Sequence, residues 1–203
     1  MVTTPVTIGL AGTHRTGKTT IARRIEMELR ALGLTVTRTS GLARRAAELG
    51  FPKMLQHTAT STEWIIAAGA ADALAAGLNA DVVLVDRTPH DALAYLLAAL
   101  ERRGEEIGDD EAAMLSALAD LHTRHHTLLI ATVLDPDLPL GEHPRKDPAY
   151  LDRDFRAGVD RHLHDLLAGG MLGERLFTAP NGAADAAVQA AVAAVNDRMA
   201  VHR

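Results

Sequence analysis

The stretch that most constrains this chain is Gly12-Thr-His-Arg-Thr-Gly-Lys-Thr19, which meets the pattern G-x-x-x-x-G-K-[S/T] at every fixed position. It follows the apolar run VTIGLAG (6–12) and opens a stretch with Ile21, Ile25, Leu29 and Leu32 at helical spacing. A strand is thus predicted to pass through this loop straight into a helix. Such a loop wraps a phosphate, because glycine permits the path that turns successive N–H groups inward. Lys18 adds a compact charge over the outer phosphates, and the Thr19 hydroxyl suits magnesium. The helix that follows offers its unsatisfied amides and positive dipole end to the anion. Gly12, Thr13, His14, Arg15, Thr16, Gly17, Lys18, Thr19 and Thr20 are therefore expected to bind ATP, with Mg²⁺ at Thr19.

Four further runs read as strands: LTVTRTS (34–40), DVVLVD (81–86), TLLIATVL (127–134) and RLFTA (175–179). Two of them are almost continuously apolar, as strands buried on both faces of a parallel sheet are. Helical patterns alternate with them: 18–32, about 61–78, 90–103, 109–124, a helix entered at Asp147-Pro148 and closed by Gly169-Gly170, and a last one striped by Val188, Val192, Val195 and Met199. This order predicts an α/β fold, a doubly wound five-stranded parallel sheet flanked by helices. With 203 residues and no repeat or linker, the chain reads as a single domain spanning 1–203.

Composition narrows the function. A net charge of −5 argues against nucleic acid as a partner, and no apolar run approaches a membrane span. The absence of cysteine excludes thiol catalysis and thiolate zinc sites. The start, MVTTPVTIGLAG, lacks a basic leader region, so a cytoplasmic protein is expected. His122, His125 and His126 crowd the entrance to the fourth strand without further ligands at metal spacing, and read as a helix C-terminus with favourable charge.

The third strand ends in "DRTPHDALAY" (86–95). A carboxylate at that edge, beside the loop, is where magnesium or an attacking hydroxyl needs negative charge, which assigns Asp86 to metal or to base; capping of the following helix is its other reading. Arg87 is suited to hold an acceptor phosphate or the transferring group by forked hydrogen bonds. Asp91, on the first helical turn, either caps or contacts substrate. Arg44 and Arg45 are candidates for an acceptor phosphate, and Trp64 for stacking on a flat substrate ring.

The pairing of "GTHRTGKTT" with "DRTPHDALAY" resembles thymidylate kinase and related P-loop small-molecule kinases, including bacterial proteins similar to the ribosylnicotinamide kinase domain. Asp86, Arg87, Ala94 and Tyr95 match the thymidylate kinase D-R-x-x-x-S-x-x-A-Y stretch, with Asp91 in place of its serine. The second strand reads Arg38-Thr39-Ser40-Gly41 where those kinases have an R-E-P-G-like stretch. The resemblance implies phosphoryl transfer from ATP to a nucleoside, nucleotide or similar small metabolite, with Arg15 reaching the transferring group. It also implies a lid at 141–160 whose Arg145, Arg153 or Arg156 closes over the phosphates. Asp152 with Arg156 reads as an ordinary i,i+4 surface pair. The connection at Asn181 would pass near adenine, and a homodimer is among the assemblies allowed. The competing reading is a P-loop ATPase or nucleotide-sensing switch. Arg87, where a water-activating glutamate would adjoin Asp86, speaks against it.

Overall fold

Ile8, Leu10, Leu84 and Ile130 are fully buried on one face of a sheet, while Leu129 and Ala131 are fully buried on the other. The computed structural model, which describes residues 4–137, 148–170 and 172–200, places these side chains in a five-stranded sheet. Its strands are β1 (Val6–Ala11), β2 (Val36–Thr39), β3 (Val82–Asp86), β4 (Leu128–Thr132) and β5 (Leu176–Ala179). They lie in the order β2-β3-β1-β4-β5, and every pairing is parallel. Burial on both faces is what the apolar runs demanded.

The seven α-helices among the described residues are α1 (Lys18–Ala31), α2 (Leu42–Glu48), α3 (Ala59–Ala76), α4 (Pro89–Arg103), α5 (Asp109–Thr123), α6 (Arg153–Gly169) and α7 (Ala184–Ala200). Ile21, Ile25 and Leu29 of α1 and Val188, Ala191 and Val195 of α7 seal one face of the sheet. On the other, Ala94, Ala98 and Ala99 of α4 let α6 approach closely enough for Phe155 and Leu163 to join the core. A third cluster, with Ile66, Leu96 and Leu115, joins α3, α4 and α5. The architecture is the doubly wound α/β arrangement expected.

One helix start settles an open reading and another differs from expectation. α4 is capped by Thr88 and not by Asp86: Thr88 and Asp91 form a reciprocal capping box, with Pro89 at the first position. α6 begins at Arg153 and not at Pro148, because the Asp152 side chain accepts a 2.9 Å hydrogen bond from the Phe155 amide and takes the cap. Residues 148–151 form a short 3₁₀ turn ahead of it.

Register brings the chemistry to one edge. Leu10 pairs with Asp86, and Ala11 with Ala131, so the end of β1, the end of β3 and the loop after β1 all meet at the carboxyl edge. β1 lies between β3 and β4, at the switch in winding direction where ligands of such sheets bind.

Phe155 is the largest fully buried side chain and meets the Tyr95 ring edge-on at 5.9 Å. Phe155→Ala should lower the unfolding free energy by about 3–5 kcal/mol in urea titrations; a loss under about 1 kcal/mol would show that α6 does not depend on this contact.

Candidate active site

The loop after β1 is held from three sides. At its start, Gly12 has φ +146°, and a Cβ there would lie 2.0 Å from Thr132 Oγ1, so only glycine fits. The Gly12 amide donates to Asp91 Oδ1 at 3.0 Å, while Asp91 Oδ2 accepts from the Thr88 amide (2.8 Å) and the Thr88 hydroxyl (3.0 Å). Asp91 is only 2% exposed, and both its oxygens are engaged. Of the two readings of Asp91 the capping one holds, and the carboxylate is turned inward, against the base of the loop.

The second tether runs through His14. Its amide donates to the Tyr95 hydroxyl at 3.2 Å; its Nδ1 lies 2.9 Å from the same hydroxyl, and its Nε2 lies 2.9 Å from the Tyr150 carbonyl. A carbonyl can only accept, so Nε2 carries the proton and Nδ1 accepts from Tyr95. The imidazole is neutral. Burial pushes its pKa down to about 4, against the opposing pull of the Tyr150 carbonyl, and the cations of Arg87, Arg156 and Lys18 add to the depression.

Arg156 makes the third tether. Its Nε donates to the His14 carbonyl at 3.1 Å and its Nη2 to the Arg15 carbonyl at 3.4 Å. It is buried, and Asp152 pairs instead with Arg102 at 3.1 Å, so the surface pair read from the i,i+4 spacing does not form. Both carbonyls lie where the loop turns through Arg15, whose φ is +61°.

Lys18 is nearly enclosed, with Nζ 2.5 Å from the Thr13 carbonyl and 3.4 Å from Thr16 Oγ1. Burial, helped by the Arg87 charge, lowers its pKa to about 7, although Asp91, Asp86 and Asp160 pull the other way. The Thr19 hydroxyl donates to Asp86 Oδ2 at 3.4 Å. One hydroxyl and one carboxylate, both hard oxygen donors, fit magnesium, which keeps several waters and takes its other ligands from phosphate. No cluster of three or more acidic or histidine side chains able to hold a metal occurs among the described residues, and magnesium in a P-loop requires none.

Arg87 stands beside Asp86 with φ +84°, uncommon for a side chain with a Cβ. Its amide donates to the Leu10 carbonyl at 3.0 Å, and its guanidinium lies over the Tyr95 ring at 5.2 Å, with Nη1 3.8 Å from Asp91. Together the loop (14–20), the β2–α2 turn (40–43), Asp86, Arg87 and Tyr150 enclose a cleft of about 430 Å³. Ser40, Gly41 and Tyr150 were not among the residues expected to act. Gly41, left-handed at the start of α2, was the legible signal that the chain turns tightly there.

Other expected residues lie apart. Arg44 is exposed and faces Glu48 at 3.6 Å. Arg45 is ion-paired to Asp72 and lies 5.8 Å over Trp64, which packs on Phe51 at 5.3 Å; neither lines the cleft. This cluster consumes the arginine and the indole expected to serve the acceptor. Asn181 donates to Asp135 at 2.7 Å, tying the β5–α7 connection to the segment after β4. Arg153 is exposed at the start of α6, and Arg145 lies outside the described residues. His126, expected to carry charge at a helix end, is buried.

No protein-family model matches the chain, and no curated protein matches it. Solved structures do. It resembles the thymidylate kinase of Ehrlichia chaffeensis with a TM-score of 0.61 and 14% identity, over 96% of this chain and 100% of that one. It also resembles a NadR protein in complex with NR, with a TM-score of 0.57 and 14% identity over 96% of this chain. The chain has the fold of P-loop kinases. It spans only half (50%) of the NadR chain's length.

Three buried imidazoles generate a pH prediction. Burial holds His14, His57 and His126 near pKa 4, with Arg103 adding to the effect at His57, and His90, His125 and Arg175 at His126. Between about pH 6.5 and 4 the unfolded chain binds protons there that the folded chain refuses. Stability is thus full above pH 6.5 and falls as pH drops, by up to about 1.4 kcal/mol per pH unit per imidazole. Urea titrations at pH 7, 6 and 5 measure this, and His14→Gln should flatten the slope. A parent equally stable at pH 7 and 5 contradicts neutral burial.

Proposed function

We propose that the protein is an ATP- and magnesium-dependent kinase that phosphorylates a nucleoside, a nucleotide or a similarly sized small metabolite. The observation that carries this reading is the pairing of Thr19 with Asp86 beside Lys18, with Arg87 across one shared cleft. The kinase folds it resembles support the same reading.

In this reading the inward-turned amides of 13–19 bind the β- and γ-phosphates, and Lys18 neutralises charge that builds on them during transfer. Thr19 and Asp86 hold magnesium, which when bound supplies Lewis-acid neutralisation of the phosphate oxygens. Arg87 orients the acceptor. The acceptor oxygen forms a bond to the γ-phosphorus as the bond to the β–γ bridging oxygen breaks, and ADP leaves with that electron pair. A hydroxyl acceptor passes its proton to Asp86, whereas a monophosphate acceptor arrives ionised and needs Arg87 for its charge. Arg15, Arg145 and Arg153 are the candidates for stabilising transition-state charge. Arg156 serves by fixing the carbonyls of the loop.

The test is ADP formation across a panel of nucleosides, nucleotides and small alcohols, with the product identified by mass spectrometry. A phosphorylated acceptor supports the kinase; ADP and free phosphate alone, whatever is added, would overturn it. Lys18→Ala should abolish turnover while leaving the fold intact, and normal turnover in a folded variant contradicts its role. Asp86→Asn should lower turnover by about a hundredfold or more with ATP binding largely kept. Retained turnover would take Asp86 out of the chemistry.

A further inference from the structure

A second, larger cavity of about 570 Å³ lies between α3 and the sheet face that carries Thr7 and Val85. Its origin is legible in α3. The helix lines the cavity with Ile65, Ile66, Gly69, Ala70, Ala73 and Leu74, and Gly69, Ala70 and Ala73 carry nothing larger than a methyl group. Two glycines act as pillars: a Cβ on Gly69 would lie 2.8 Å from Leu42 Cδ1, and one on Gly77 would lie 2.8 Å from Pro5 Cγ. The helix is thus seated on Leu42 and Pro5, and the alanines between span the gap. The eight steps from residue 69 to residue 77 cover about 12 Å of helix rise, the length of a medium alkyl chain.

The walls are apolar but the end is not. At the amino edge of the sheet the cavity is lined by Arg124, Arg175, Arg198, His122 and His125, and no aspartate or glutamate lines it among the described residues. That is the opposite bias to a chain of net charge −5. Arg175 is committed to the carbonyls of Arg124 and His126, at 3.0 and 3.2 Å; Arg124, whose Nε donates to His125 Nε2 at 3.4 Å, and Arg198 are the exposed guanidiniums of that end. His126 is buried in the same wall, its ring packed over Gly9.

We propose that this cavity is a second binding site, for a small amphipathic monocarboxylate. The apolar chain lies along the small residues of α3, and the carboxylate meets Arg124 and Arg198. A volume of this size falls in the range of ligand pockets, and forked hydrogen bonds to a carboxylate are what arginine supplies. The site is separate from the phosphate cleft, and the two share only the wall of Leu42 and Arg87.

Octanoate is the probe, titrated calorimetrically into the full chain, with octanol as the headless control. We expect one saturable site that persists in saturating MgATP, with octanol weaker by about tenfold or more. The double variant Arg124→Ala/Arg198→Ala should weaken octanoate by a similar factor, and Ala73→Leu, which fills the gap, should abolish binding with the circular dichroism spectrum retained. No saturable binding to the parent overturns the proposal. So does displacement by MgATP, which would put octanoate in the cleft, or equal binding of octanol and octanoate. Should sedimentation reveal a dimer that Leu74→Asp dissolves, with no octanoate bound, the face belongs to a second copy of the chain and the proposal fails.

Discussion

The buried carboxylate of Asp91 is the point on which the site depends. Its oxygens gather three donors, the Gly12 amide, the Thr88 amide and the Thr88 hydroxyl, which ties the start of the loop to the start of α4. A carboxylate so deeply buried is tolerable only when its lone pairs are met. Without the Gly12 amide, Oδ1 would be left unsatisfied where water cannot reach it. The same contact sets the first turn of α4, which brings Tyr95 one turn later to His14. The fold of the helix and the conformation of the loop are thus one problem with one solution.

From this anchor the loop is held in a binding-ready path. Tyr95 and the Tyr150 carbonyl grip the two nitrogens of His14, and Arg156 binds the carbonyls of His14 and Arg15 from the α6 side. In the proposed function, dipoles fixed in this way would need little reorganisation to act on a phosphate. Tyr150 lies in the 3₁₀ turn just before the Asp152 cap of α6, so the start of α6 and the loop are tied together.

Much of this was legible in the chain. Alternating strand and helix patterns led to the sheet, and the glycines and Lys18 to the loop. Thr19 and Asp86, each read separately as an oxygen donor, meet at the carboxyl edge. What escaped did so for physical reasons. Position 14 is unconstrained in the loop motif, so nothing local marks His14 as a hub contacted from residues 95 and 150. Arg156 sits four residues after Asp152, a spacing that suggests a surface pair. Asp152, however, spends its carboxylate on the Phe155 amide and Arg102, and the face with Phe155 turns inward. Arg45 and Trp64 looked available for substrate because their partners, Asp72 and Phe51, lie at sequence distances that no periodicity connects. Long-range pairing of polar groups is where local patterns stop informing.

The account's central claim is that the loop at 12–20 receives the phosphates of ATP together with the edge that bears Asp86. Hydrogen exchange of the full chain, with and without MgATP, tests it most directly. The account predicts slowed exchange at the amides of 13–20 and of Asp86 and Arg87, with α7 unchanged. Amides of 13–20 that exchange at the same rate in saturating MgATP would contradict it.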